Sequence, residues 1–188
     1  MTAIAALWLP ILVAAVLVFV ASSIIHMAPL WHRNECPALP DQDRIQDALR
    51  PFDLRPGEYM LPRAASMKDC KEPGFVEKLT RGPVLLMTVV PNGPMNMTRP
   101  LVQWFAYTVF VSALVAYVTG AALPGDASYL AVFRVAGTVA FAAYAVGLWQ
   151  QSVWYSRPWG TTLRLTLDGL IYGLLTGGAF GWLWSAGG

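Results

Sequence analysis

The stretch from Ala3 to Ile25 carries no charged side chain, and this constrains the fold more than any other feature of the chain. A helix rising about 1.5 Å per residue needs about 20 apolar residues to cross about 30 Å of hydrocarbon, where only the helix itself can satisfy the backbone hydrogen bonds. Three later stretches repeat the pattern. Leu101 to Leu123 is free of charge between Arg99 and Asp126, Tyr129 to Trp149 holds only Arg134, and Gly169 to Trp184 holds none. The expected fold is an all-α membrane protein with four transmembrane helices, over residues 1–25, 101–123, 129–149 and 169–184. Residues 26–100 form a small α+β cytoplasmic insertion between the first and second helices.

Composition agrees with a chain whose main solvent is not water: 56% of residues are hydrophobic and 13% charged, against about 25% charged in soluble domains. Every Lys and Arg except Arg134, Arg157 and Arg164, and every carboxylate except Asp126 and Asp168, falls between His26 and Pro100. Basic and acidic residues nearly cancel there. A nucleic-acid partner, which needs a dense basic face, is therefore set aside. Cys36 and Cys70 fit no disulfide framework, zinc ribbon or redox CxxC spacing and read as ordinary thiols.

Tryptophan prefers the headgroup boundary, where its ring is buried and its N–H stays wet. Trp8, Trp31, Trp104, Trp149, Trp154, Trp159, Trp182 and Trp184 all sit at or just beyond a proposed helix end. Orientation follows from the short basic loops: Arg33, Arg81, Arg99, Arg157 and Arg164 share one side, which the positive-inside rule makes cytoplasmic. Both termini are then expected in the periplasm. The first span lacks a basic leader and reads as an uncleaved anchor, with cleavage near Ala21 the other reading. Within 26–100, Asp41 after Pro40 suits an N-cap, and Ile45, Ala48 and Leu49 recur at helical spacing until Pro51. Glu58 to Leu61 and Val84 to Val90 read as strands, and Phe75 to Leu79 as a helical turn.

Gly169, Gly173, Gly177 and Gly181 recur every fourth residue on one face of the last span. Without Cβ atoms, that face lets another backbone approach, and close packing drives association where lipid removes the hydrophobic effect. Two readings stand side by side. The stripe packs against a span of the same chain, for example on Ala136, Ala140, Ala143 and Gly147 of the third, or it serves a homo-oligomer or a partner in a membrane complex. Arg134 is the one clear charge within a span. It marks a possible polar site, or it snorkels to the outer interface towards Asp126. Asp168 reads as the start of the fourth span, where a negative charge suits the helix N-terminus.

His26, His32 and Cys36 are the weak candidates for a metal, since their spacing is broken by Pro29 and matches no zinc pattern. No metal and no other cofactor is expected, and haem between two spans is excluded because both histidines adjoin the first span. The chain has no GxSxG, HExxH or GxxxxGK[ST] pattern and no acidic relay in mid-membrane.

The run Leu39-Pro40-Asp41 through Ala48-Leu49-Arg50, with Pro56-Gly57-Glu58-Tyr59, Pro91-Asn92-Gly93-Pro94, Asp168-Gly169-Leu170-Ile171-Tyr172 and Phe180-Gly181-Trp182-Leu183-Trp184, resembles a family of small bacterial inner-membrane proteins with no assigned activity. The resemblance implies that setting and transfers no catalytic residue. The expected function is a non-enzymatic accessory or scaffold subunit acting through helix packing. The alternative is a small oligomeric transport or channel component.

Overall fold

The computed structural model describes residues 4–28, 32–33 and 35–184. Ala3, Pro29, Trp31 and Gly188, which entered the sequence reading, lie outside them. The chain divides into two units, residues 1–36 with 96–188, and residues 37–95.

The first unit is a helix bundle. Helix α1 (Trp8–Met27) follows a short 3-10 turn, α4 (Thr98–Ala122) opens the second pass, α5 (Tyr129–Ala145) the third, and short α6 (Trp149–Tyr155) precedes α7 (Trp159–Leu183). Between α4 and the first unit's α1 the chain forms the second unit, taken up below. Helix α1 packs on α4 and α7, and the α5 to α7 pair is the most extensive in the bundle. Leu7, Val18, Val111, Val115, Val132, Ala136 and Phe180 meet in the core. Trp8, Leu12, Val16, Val20 and Ile24 of α1 face outward, the inverse of a water-soluble helix and the arrangement that a hydrocarbon solvent stabilises. Indole and phenol groups tie the passes together: Trp104 Nε1 donates to Ser22 Oγ at 2.7 Å, and Trp184 Nε1 donates to the Pro124 carbonyl at 3.1 Å.

Among the described residues, three helical stretches are long and apolar enough to cross a membrane, Ala5–Met27, Thr98–Ala122 and Tyr129–Tyr155. Two boundaries differ from the sequence reading. The third stretch is not one helix to Trp149: α5 stops at Ala145, a 3-10 turn spans Val146–Leu148 around Gly147, and α6 resumes the coil. The last helix does not start at Asp168 or Gly169 but at Trp159, after Pro158 at its N-cap. Asp168 thus lies in the helix interior, not at its N-terminus. The glycines, the threonines and Asp168 dilute the apolar content of α7, which is why it is absent from the three stretches above.

The second unit holds α2 (Gln42–Leu49), β1 (Gly57–Leu61), α3 (Pro73–Arg81) and β2 (Leu85–Val89). The Asp41 side chain accepts from the Arg44 backbone N–H at 3.3 Å and caps α2, and Gly82, at φ 61°, ends α3. Strands β1 and β2 pair antiparallel, from Gly57 opposite Val89 to Leu61 opposite Leu85. None of these four elements contains a buried residue.

Candidate functional site

The last turn of α1 presents His26, whose Nδ1 donates to the Ser22 carbonyl at 3.0 Å. An intrahelical carbonyl can only accept, so Nδ1 is the donor in this contact. Beyond the end of α1, His32 stacks on His26 with ring centroids 4.6 Å apart and planes 10° from parallel. The Nδ1 of His32 lies 2.9 Å from Glu35 Oε1, and its Nε2 lies 2.9 Å from Asp168 Oδ2 on α7.

Arg164 completes the cluster. It sits one turn before Asp168, so both side chains leave the same face of α7, and its Nε donates to Glu35 Oε1 at 3.1 Å. The four groups form a chain in which Arg164 meets Glu35, Glu35 meets His32, and His32 meets Asp168. Both ring nitrogens of His32 thus face carboxylate oxygens. Burial raises the affinity of Glu35 for a proton, but the hydrogen bonds and charges of His32 and Arg164 outweigh it and hold the carboxyl below its usual range. Asp168 is only 2% exposed. A carboxylate buried to that degree is stable only when paired.

Chain proximity explains half of this arrangement: His26, His32 and Glu35 surround the end of α1. Asp168 and Arg164 arrive from the far end of the sequence, and neither was expected here. The signal that pointed to them was present, a basic and an acidic residue four apart in an otherwise apolar helix. Among the described residues, His26, His32 and Asp168 are the group whose ligand atoms all lie within 4.8 Å of one another. Cys36, the third candidate from sequence, is exposed and outside that group, as is Cys70. The third donor near the histidines is a carboxylate and not a thiol.

No family model, curated protein or solved structure matches this chain.

His26 also forms part of the wall of a groove of about 410 Å³, with Ser22, Ser23, Met27, Met97, Leu101 and Trp104. The groove is nearly all apolar, and His26 and the two serine hydroxyls are the polar groups among its lining residues. It brings one edge of the cluster within reach of anything that enters between α1 and α4.

The glycine stripe of α7 lies against α5 of the same chain. A Cβ on Gly169 would stand 2.6 Å from the Ala145 Cβ, one on Gly173 3.0 Å from the Gly137 carbonyl oxygen, one on Gly177 2.8 Å from that of Phe133, and one on Gly181 2.8 Å from the Tyr129 ring. The opposing surface is Tyr129, Phe133, Gly137, Phe141 and Ala145, a four-residue repeat in register with the glycines. It is not the Ala136, Ala140, Ala143 and Gly147 face expected from sequence: Ala136 and Ala140 point into the core, and Gly147 has open space around it. Arg134 is exposed on α5, with no ion pair to Asp126 among the described residues.

Proposed function

We propose that the protein is a four-span bacterial inner-membrane protein, with both termini periplasmic and residues 37–95 cytoplasmic, that serves as an accessory or scaffold subunit for a protein partner. In this reading α7 is the fourth span. Its polar residues are consumed inside the bundle, Asp168 by His32 and the glycines by α5, so its apolar side faces lipid although its composition is diluted. Arg134 snorkels to the outer interface.

The single observation that carries the partner reading is the absence of any buried residue in α2, β1, α3 and β2. Phe52, Met60, Leu61, Leu86 and Val90 are instead exposed. A two-stranded hairpin is marginal by itself in water, and apolar surface of this extent on a soluble segment marks an interaction face. The glycine stripe, occupied within the chain, does not supply that face, so the docking role passes to the insertion.

A photo-crosslinking residue at Phe52, activated in intact cells, tests this. One protein adduct of defined mass, recovered at near-stoichiometric yield, supports the reading. Adducts to lipid alone, with a monomeric and partner-free protein after mild detergent extraction, would sink it.

The alternative, a small oligomeric transport component, draws on a different observation. Ser112 and Thr119 of α4, Tyr144 of α5, and Tyr172 and Thr176 of α7 bury their hydroxyl oxygens inside the bundle without a hydrogen-bond partner among the described residues. Such groups favour a polar path between helices, and a closed homo-oligomer around them would favour this reading over the first.

A further inference from the structure

We infer that His26, His32 and Asp168 form a binding site for a divalent transition-metal ion of the zinc class. The donor set is two imidazole nitrogens and one carboxylate oxygen, the combination used by open zinc and non-haem iron sites, where three protein ligands leave at least one position for water or another ligand. The geometry goes beyond composition in three respects.

The first is orientation. Metal-bound imidazoles characteristically give their second N–H to a carbonyl or carboxylate, which fixes the tautomer and raises the basicity of the ligating nitrogen. Both histidines do this: His26 Nδ1 reaches the Ser22 carbonyl and His32 Nδ1 reaches Glu35, at 3.0 and 2.9 Å. Each ring is left with Nε2 as its ligand atom. Arg164 in turn holds Glu35 at 3.1 Å, so the outer shell is itself supported.

The second is distance. Tetrahedral bonds of about 2.1 Å put ligand atoms roughly 3.4 Å apart. The three donors lie within 4.8 Å of one another, with His32 Nε2 already 2.9 Å from Asp168 Oδ2. His26, the exposed member at the end of α1, turns out of its stack on His32 to bring its Nε2 to the same ion. The ion bridges His32 Nε2 and Asp168 Oδ2, and the contacts of Glu35 with His32 and Arg164 stay in place.

The third is access. Asp168 is buried and His32 nearly so, which excludes bulk water from two ligands, whereas His26 lines the groove between α1 and α4. The groove gives the ion an approach and gives a fourth ligand a place to stand. The inference does not depend on the partner reading: an accessory subunit and a transport component could each carry the ion.

The test uses the full-length protein in detergent micelles after chelator treatment. Zn2+ is titrated against a chromophoric competitor, and Co2+ is followed by visible absorption. One ion per chain is expected, with Co2+ ligand-field bands and without the intense near-ultraviolet band of a thiolate ligand. His26→Ala removes a ligand but leaves the His32 to Asp168 contact in place, so the metal-free variant should still unfold cooperatively while Zn2+ affinity falls on the order of 100-fold or more. Glu35→Gln, which weakens the outer shell only, should lower it about tenfold. Undiminished binding by His26→Ala, a thiolate band removed by Cys36→Ser, or no saturable Zn2+ binding by the folded wild type would each overturn the assignment.

Discussion

Gly177 and Gly178 are neighbours on α7 that face different surroundings, and substituting each with alanine isolates the energy of the seam with α5. A Cβ on Gly177 would stand 2.8 Å from the Phe133 carbonyl oxygen and 3.2 Å from the Gly137 Cα, both backbone atoms, where ordinary contact starts near 3.4 Å. The helices must part by roughly 0.6 Å at that point, or α7 must rotate. A Cβ on Gly178 meets only the Tyr129 hydroxyl, at 4.0 Å. Both substitutions gain the same helix propensity, about 1 kcal/mol, so it cancels in their difference. What remains is the cost of overpacking, about 1 to 3 kcal/mol. Reversible unfolding in mixed detergent micelles, read by circular dichroism, should place Gly177→Ala below Gly178→Ala by that amount, with Gly178→Ala at or above the wild type. Equal stability of the two variants would refute the claim that the glycine stripe is used within the chain.

The polar cluster gives a graded expectation. His32→Ala removes the imidazole that meets buried Asp168 and should cost about 3 to 5 kcal/mol of unfolding free energy, whereas Arg164→Gln, at a side chain 36% exposed, should cost no more than about 1 kcal/mol; equal losses would mean that the His32 contact is not what stabilises Asp168. Reporter fusions at Asp126 and Gly188 should score as periplasmic and one near Ser66 as cytoplasmic, and the reverse pattern would invert the proposed orientation. Residues 37–95 expressed alone should show unprotected amides in hydrogen exchange and no cooperative melting transition, since α2, β1, α3 and β2 bury nothing; a sharp transition would argue that the segment completes its own core. Trp104→Phe keeps the ring but loses the donor to Ser22 Oγ, and should lower stability by about 1 kcal/mol in the same micelle assay.

Local chemistry was legible in the sequence where the deciding interaction is itself local. Asp41 followed by the Ile45, Ala48 and Leu49 spacing yields α2 between Gln42 and Leu49, and the β-branched run before Pro91 yields β2. The apolar stretches of α1 and α4 are just as readable, because hydrophobic length needs no partner to interpret. The α7 boundary failed for the opposite reason. A lone carboxylate at the edge of an apolar run looks like the end of a span, since an unpaired charge in hydrocarbon is costly. The pairing that allows the helix to run on through Asp168 comes from His32, far away in sequence and invisible to any window. The glycine stripe was half legible: its spacing announces a close contact, but which backbone it meets depends on the rotation of α5, which presents Phe133 and Gly137 instead of Ala136 and Ala140. Asp168 beside the histidines was missed in the same way, for its distance in sequence, and Cys36, a weak candidate close to them in sequence, lies outside their group.

The contact between His32 and Asp168 also orders the assembly of the bundle in time. The helix carrying Asp168 leaves the ribosome after α1, α4 and α5, and His32, which meets it, leaves before α4 and α5. If α7 is a span, as proposed, its carboxylate costs a few kcal/mol in lipid until the helix docks beside the end of α1. Two ionic contacts, His32 with Asp168 and Glu35 with Arg164, therefore join α7 to the segment that follows α1.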